Sequence, residues 1–298
     1  MRKIDIMILA SIGLLIVLTF LFSYFLSYVA LKPKRRPKKK TPADLGLDFE
    51  EIEFLSAGTR LSGWFVASDN PSRSPTLVFV HGWESSSQGM LPHLEYLKDL
   101  KLNFLLYDAR GHGDSGPIDY MSLVRMSEDL ENALKYALSR RDLNPNQILL
   151  FGHSMGAAAA VTVAARRHDI QGLVASSGFA NFRLLTEDML RPMKIPYWPV
   201  GSLMMLFWRL KIQIKIDDWN PTTSIRKIRA PLLLAHGGND EVVSSTHFQR
   251  LCDSLPKGDH LLITAGRHRN LHEFEEYRLK VIEFFKNLAQ KTSPKIPE

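Results

Sequence analysis

Short, continuous apolar runs alternate along this chain with longer segments whose apolar residues recur at helical spacing. Thr76–Val80, Phe104–Tyr107, Gln147–Phe151, Gly172–Ala175, Pro231–His236 and His260–Ile263 are runs of four to six residues. Most are closed by Gly, Asp or His, the pattern of strands buried on both faces. Between them, Leu91–Leu100 and Ser245–Leu255 read as helices, and Ala157–Ala165 is an Ala-rich run without a breaker. The segment from about Ser122 to Arg140 places Met126, Leu130, Leu134, Ala137 and Leu138 on one helical stripe. The last helix does the same with Phe274, Tyr277, Val281, Phe284, Phe285 and Leu288. Near the start of the folded part, expected at about Leu45, Glu51–Leu55 and Leu61–Val66 form two strands around a turn at Gly58. Strands alternating with helices predict an α/β fold, a mostly parallel sheet with helices on both faces.

The alternation breaks between Phe179 and Asn220. Pro192, Pro196 and Pro199 precede the apolar run Leu203–Trp208, so residues 179–220 read as a helical lid inserted over the site. Leu203, Leu206, Phe207 and Trp208 are candidates for an apolar substrate pocket. The plainer alternative is a lid that packs its apolar face on the core.

A second departure lies at the N-terminus. Ile6–Ala30 spans 25 residues without a charge, and about 20 suffice to cross a bilayer. A cleaved signal peptide fits less well, because the stretch exceeds a typical apolar signal region and Tyr28 stands where a small residue is wanted. The expected organisation is a transmembrane anchor at 1–31, a basic Pro-rich linker at 32–44, a catalytic domain at 45–290 and a polar tail at 291–298.

Charge sharpens this division. The 298 residues carry a formal +7, yet residues 1–42 hold nine Lys/Arg and one acid, leaving about −1 for the rest. A basic total that belongs to one tail excludes a general nucleic-acid-binding surface on the folded part. Lys32–Lys40 carries seven cations against Arg2 and Lys3 on the other flank, which predicts a cytoplasmic catalytic domain. The same run suits anionic headgroups, and its prolines predict an extended spacer. Cys252 is the single cysteine, so an internal disulfide and a Cys-rich metal site are excluded. No cofactor or metal is expected, and nothing in the sequence specifies an oligomeric state.

The candidate chemistry sits at strand ends. Gly152-His153-Ser154-Met155-Gly156 lies between an apolar run and the Ala-rich helix. There, glycines on both sides of a serine permit a tight, strained turn that lifts its hydroxyl off the end of a sheet. A serine hydroxyl is a weak nucleophile and needs a base in hydrogen-bond reach. In open parallel sheets such partners lie beyond the carboxyl ends of later strands. Asp240, in Gly237-Gly238-Asn239-Asp240-Glu241, is the candidate orienting acid, with Glu241 as the alternative. His268 and His272 compete as the base. Asn270 and Glu273 have the spacing of a capping box, which puts His272 in a first helical turn and leaves His268 in a loop free to approach Ser154. Backbone N–H groups of Met155 and Trp83 are candidates for an oxyanion hole. His81, His112 and His153 read as structural, and Asp108 and Asp114 as loop-shaping residues.

The order Ser154…Asp240…His268 resembles the α/β-hydrolase superfamily. So do the loops His81-Gly82-Trp83 and Asp108–Gly116, over roughly Asp48–Leu288. The chain looks most like its small esterases, monoacylglycerol lipases and peptidase-like hydrolases. The resemblance implies an eight-stranded, mostly parallel sheet, a helical lid, a Ser-His-Asp triad and no cofactor. An ester, with a lipid or medium-chain acyl group, is the expected substrate. Peptide or amide cleavage on the same triad, and a tethered scaffold without catalysis, are the alternatives.

Overall fold

The computed structural model describes residues 3–255 and 258–292. Eight strands form one sheet: β1 (Glu50–Ser56), β2 (Thr59–Val66), β3 (Thr76–Val80), β4 (Asn103–Tyr107), β5 (Ile148–His153), β6 (Ile170–Ser176), β7 (Leu232–Gly237) and β8 (Asp259–Ile263). Their order is β1-β2-β4-β3-β5-β6-β7-β8. β1–β2 and β2–β4 are antiparallel, and every other pair is parallel. The chain thus lays a hairpin at one edge, then crosses over through helices, as the alternating pattern requires.

Nine helices accompany the sheet among the described residues: α1 (Lys3–Ala30), α2 (Leu91–Leu97), α3 (Leu123–Ser139), α4 (Met155–Ala164), α5 (Phe182–Leu190), α6 (Ser202–Ile212), α7 (Pro221–Ile225), α8 (Ser245–Ser254) and α9 (Glu275–Thr292). The strands β3 to β7 are buried on both sides because each alternate residue meets a different core, whereas the edge strands β1 and β8 are largely exposed. Val78 and Val80 of β3 face α3 and α4, with Met126, Leu130, Ala158 and Val161. Leu77 and Phe79 face α2 and α9, with Leu94, Leu97, Val281 and Phe285. Ser122 caps α3 by accepting the Arg125 N–H, and Asn181 caps α5 through the Leu184 N–H. Both caps start helices at the edge of the site.

α5, α6 and α7 fill the insertion between β6 and β7. They hold a small core of their own, made by Leu190, Val200, Met204, Trp208 and Ile216. Leu26, Ala30 and Leu31, from the end of α1, pack onto this core. The face of α1 that does so is small and hydroxylated. Ser23 and Ser27 are buried, their hydroxyls satisfied by the Thr19 and Tyr24 carbonyls of their own helix. Small side chains let two helices approach closely. The Trp208 indole N–H donates to the Ser27 carbonyl at 3.0 Å, and Phe207 meets Phe20 and Tyr24 edge-on.

The basic run expected as an extended spacer has no regular secondary structure from Pro33 to Thr41, and it is seated on the domain. The Lys38 ammonium lies 2.9 Å from Asp108 and 2.8 Å from Asp114, over the Trp64 ring. Arg35 donates to the Ser115 carbonyl and Arg36 pairs with Glu84. The contacts of the folded part therefore begin well before Leu45. The polar tail expected from 291 on lies outside the described residues from Ser293 onward, as does Arg2.

Candidate active site

β5 ends in the turn that carries Ser154. The serine adopts φ 56°, ψ −120°, a conformation that side chains rarely take and that marks stored local strain. The flanking glycines are there for contact as well as for conformation. A Cβ on Gly156 would lie 2.1 Å from the Val80 carbonyl oxygen, and one on Gly152 would lie 2.5 Å from the Gly156 carbonyl oxygen. β3, β5 and α4 can come this close only where side chains are missing.

The loops after β7 and β8 bring Asp240 and His268 to this turn. His268 Nε2 is 2.9 Å from Ser154 Oγ, and His268 Nδ1 is 2.7 Å from Asp240 Oδ2. With a neutral imidazole, Nδ1–H donates to the carboxylate and Nε2 accepts from the hydroxyl, the tautomer a general base needs. Asp240 is itself fixed, its Oδ1 accepting the Val242 and Val243 N–H groups at 2.9 and 2.8 Å. His268 and Asp240 are both buried.

The alternatives weighed on sequence fall elsewhere. Glu241 is exposed, and His272 sits in a 3-10 turn beside His93. The expected capping box does not form. The Asn270 side chain accepts the Arg267 N–H inside the His268 loop, and the helix proper begins at Glu275. His153 packs 5.1 Å from His268, ring to ring. Burial keeps His153 well below the ordinary imidazole range. Burial likewise lowers His81 and His236, and takes His93 and His112 down to about 3. These five rings stay neutral around the base.

Met155 opens α4, so its N–H has no acceptor within the helix and points with the helix dipole toward the space above Ser154. Gly82-Trp83 is held against the same space. A Cβ on Gly82 would meet Ser154 Cβ at 2.9 Å. The loop behind it is braced by two histidines. His81 Nε2 accepts the Ala109 N–H, and its Nδ1–H donates to the Gly82 carbonyl. His112 Nε2 accepts the Glu84 N–H. Asp108 accepts the Ser87 and Asp114 N–H groups. Burial alone would raise the Asp108 carboxyl, but Lys38 and those two donors oppose it, and the carboxyl is held below its usual range. The linker cation Lys38 therefore completes the brace under the Gly82-Trp83 loop, a role that seven undifferentiated cations in one run did not reveal.

A cavity of about 180 Å³ opens beside Ser154, walled by Trp83, Met155, Leu123, Phe182 and Trp208. Of the four lid residues expected there, only Trp208 reaches it. Phe207 turns to α1, Leu206 is exposed, and Leu203 stands outside the cavity wall. An α6 that is apolar on all sides gives no periodicity from which to choose the inward face. The wall also includes Ala30 and Leu31, which nothing in the sequence linked to the site. Among the described residues no three His, Cys, Asp or Glu come together to hold a metal.

The fold, the turn and the order of the strand-end residues are those of one superfamily. Residues 71–216 match the model of the serine aminopeptidase S33 family. The Pyrococcus furiosus esterase Pf2001 superposes with a TM-score of 0.70 at 26% identity, over 87% of this chain and 98% of that one. The chain belongs to the α/β-hydrolase superfamily. Relatives of this hydrolase include YfhR of Escherichia coli, 28% identical over 79% of this chain and 80% of the relative. Protein bem46 of Schizosaccharomyces pombe is 28% identical over 83% and 81%. The α/β-hydrolase domain-containing protein WAV2 of Arabidopsis thaliana is 27% identical over 71% and 68%.

Proposed function

We propose that this hydrolase is a membrane-anchored serine esterase acting on esters with an apolar acyl group. The observation that carries the reading is the hydrogen-bonded series Ser154–His268–Asp240 at the wall of an apolar cavity. His268 Nε2 takes the hydroxyl proton as Ser154 Oγ attacks the ester carbonyl. Asp240 stabilises the imidazolium that results. The N–H groups of Met155 and Trp83 receive the negative oxygen. His268 then gives its proton to the departing alcohol, and a water activated the same way releases the acid and restores Ser154.

The size of the cavity bears on the substrate. About 180 Å³ is close to an apolar cavity of about 150 Å³ that takes one benzene ring, which favours an acyl chain on the order of six carbons. With p-nitrophenyl esters, kcat/KM should peak between butyrate and octanoate and be lost in His268→Ala. A maximum at acetate, or at palmitate, contradicts the acyl-pocket reading.

The S33 match favours a second reading, cleavage of an N-terminal residue from a peptide. An aminopeptidase must hold a free ammonium. Among the described residues the cavity wall carries no carboxylate, which makes this the weaker reading. Turnover of aminoacyl-naphthylamides above that of esters would reverse the ranking.

α1 is charge-free from Ile6 and mostly exposed along its length, with mean hydropathy 2.7. That supports a membrane-spanning helix with the catalytic domain on the side of the basic flank, in the cytoplasm.

A further inference from the structure

α1 has 28 residues, a rise of about 42 Å against about 30 Å of hydrocarbon in a bilayer. Lys3 and Asp5 keep the first turn out of the hydrocarbon, so with about 20 residues crossing from Ile6 the excess at the far end is on the order of five residues. Those are the turns at which Leu26, Ser27 and Ala30 pack onto the lid. Tyr24 and Tyr28 stand at the same level, as aromatic hydroxyls do at a membrane surface. Because Phe207 meets Phe20 and Tyr24, a bilayer around α1 reaches the side of α6.

The lid presents an unusual surface there. Leu206 and Leu210, one helical turn apart, are 43% and 63% exposed, and Trp198, in the turn that leads into α6, is 76% exposed. At the headgroup end, Lys32 and Lys211 line one cleft of about 250 Å³ between α1 and α6, together with Tyr28 and Tyr120. Neither ammonium is within ion-pair distance of a carboxylate among the described residues, because Asp119 in the same cleft pairs with Arg125. Lys38 and Arg36 are already engaged by Asp108, Asp114 and Glu84. Of the basic run, Lys32 is the cation that lines this cleft, with Lys211 across it.

From this juxtaposition we infer that the lid is a second membrane contact. Leu206, Leu210 and Trp198 enter the boundary between acyl chains and headgroups beside α1, while Lys32 and Lys211 meet lipid phosphates. Apolar side chains at the acyl boundary with lysines reaching outward are how an interfacial helix binds. The inference rests on α1 spanning the bilayer and is independent of the triad. It has a consequence for the reaction. The wall of the Ser154 cavity includes Ala30 and Leu31, in the turns just past the hydrocarbon, so the site lies at the membrane surface, beside esters that enter from the headgroup layer.

The test uses the full chain in nanodiscs, in a Cys252→Ser background, with an environment-sensitive fluorophore at one introduced cysteine. Leu206→Cys reports on the lid, Leu14→Cys on α1, and Leu279→Cys on an exposed position of α9 away from the lid. Lipids spin-labelled near the carbonyl should quench the label at 206 at least threefold more than at 279, and lipids spin-labelled near the end of the acyl chain should quench the label at 14. Quenching at 14 but not at 206 overturns the inference and leaves the anchor intact. Protection of 206 from aqueous iodide without lipid quenching points to a protein on the lid and also overturns it. No quenching at 14 removes the anchor and the inference together. Raising phosphatidylserine from none to a third of the lipid should increase quenching at 206, and Lys32→Glu with Lys211→Glu should abolish the increase. An unchanged response in that variant overturns the lysine assignment. Leu206→Ser with Leu210→Ser should raise KM several-fold for a membrane-dissolved ester and leave kcat, and turnover of a soluble short ester, unchanged.

Discussion

Ser154 is held in a strained backbone conformation by neighbours that tolerate no Cβ, and that is where the residue-scale expectations are sharpest. Gly156→Ala would force the new methyl against the Val80 carbonyl. It should cost more than 100-fold in ester turnover together with a fall in thermal midpoint, since the elbow must open to admit it. Asp240→Asn keeps the shape of the site but favours the wrong tautomer of His268, so kcat should fall about 10⁴-fold with little change in KM. The pH dependence follows from the buried rings. His81, His93, His112, His153 and His236 are held below the ordinary imidazole range by burial, which favours their neutral forms at neutral pH. The acid limb of kcat/KM should therefore follow a single ionisation, and His153→Asn should leave its slope unchanged. A limb steeper than one proton would mean that a second ring titrates with the base.

Two connections between elements were outside any local pattern. The first is Lys38, whose ammonium bridges the linker to Asp108 in the brace of the Gly82-Trp83 loop. Lys38→Met leaves that buried carboxylate unpaired, which should cost about 3 kcal/mol, a drop of roughly 6–12 °C in thermal midpoint. Asp108→Asn in the same chain should restore part of it. The second is Asp188 of α5, which accepts the Ser244 N–H at 2.7 Å and faces His247 at 3.4 Å. It ties the lid to the loop that presents Asp240. Burial would raise the Asp188 carboxyl, but His247 and the Ser244 donors outweigh it and bring it down to about 2. A carboxyl lower in the folded than in the unfolded chain stabilises above its unfolded value, about pH 4, and that stabilisation is lost as pH falls toward 2. The difference in thermal midpoint between the wild type and Asp188→Asn should accordingly be full at pH 5 and shrink toward zero near pH 2.

At the scale of the whole molecule, the sheet was legible because each buried strand is a short apolar run and each crossover helix has its own stripe. The elbow was legible because Gly152 and Gly156 bracket a serine between the two. Asp240 and His268 could be chosen because both follow strands later than the elbow, and His268 rather than His272 meets the serine. Other features depend on packing between distant segments and carry no periodic signal. A run such as Leu203–Trp208 does not say which residue faces the cavity, which faces α1 and which faces outward. Seven cations in a row do not say which one is buried, and an apolar N-terminal helix does not say that its last turns wall the Ser154 cavity. The account as a whole stands on Ser154 as the nucleophile of this assembled site. Its most direct test is to treat the full chain with a fluorophosphonate and map the adduct by mass spectrometry of its peptides. The modification should fall on the peptide containing Ser154, at one adduct per chain. It should disappear in Ser154→Ala and slow by orders of magnitude in His268→Ala. An adduct on any other residue, or labelling that survives Ser154→Ala, contradicts the account.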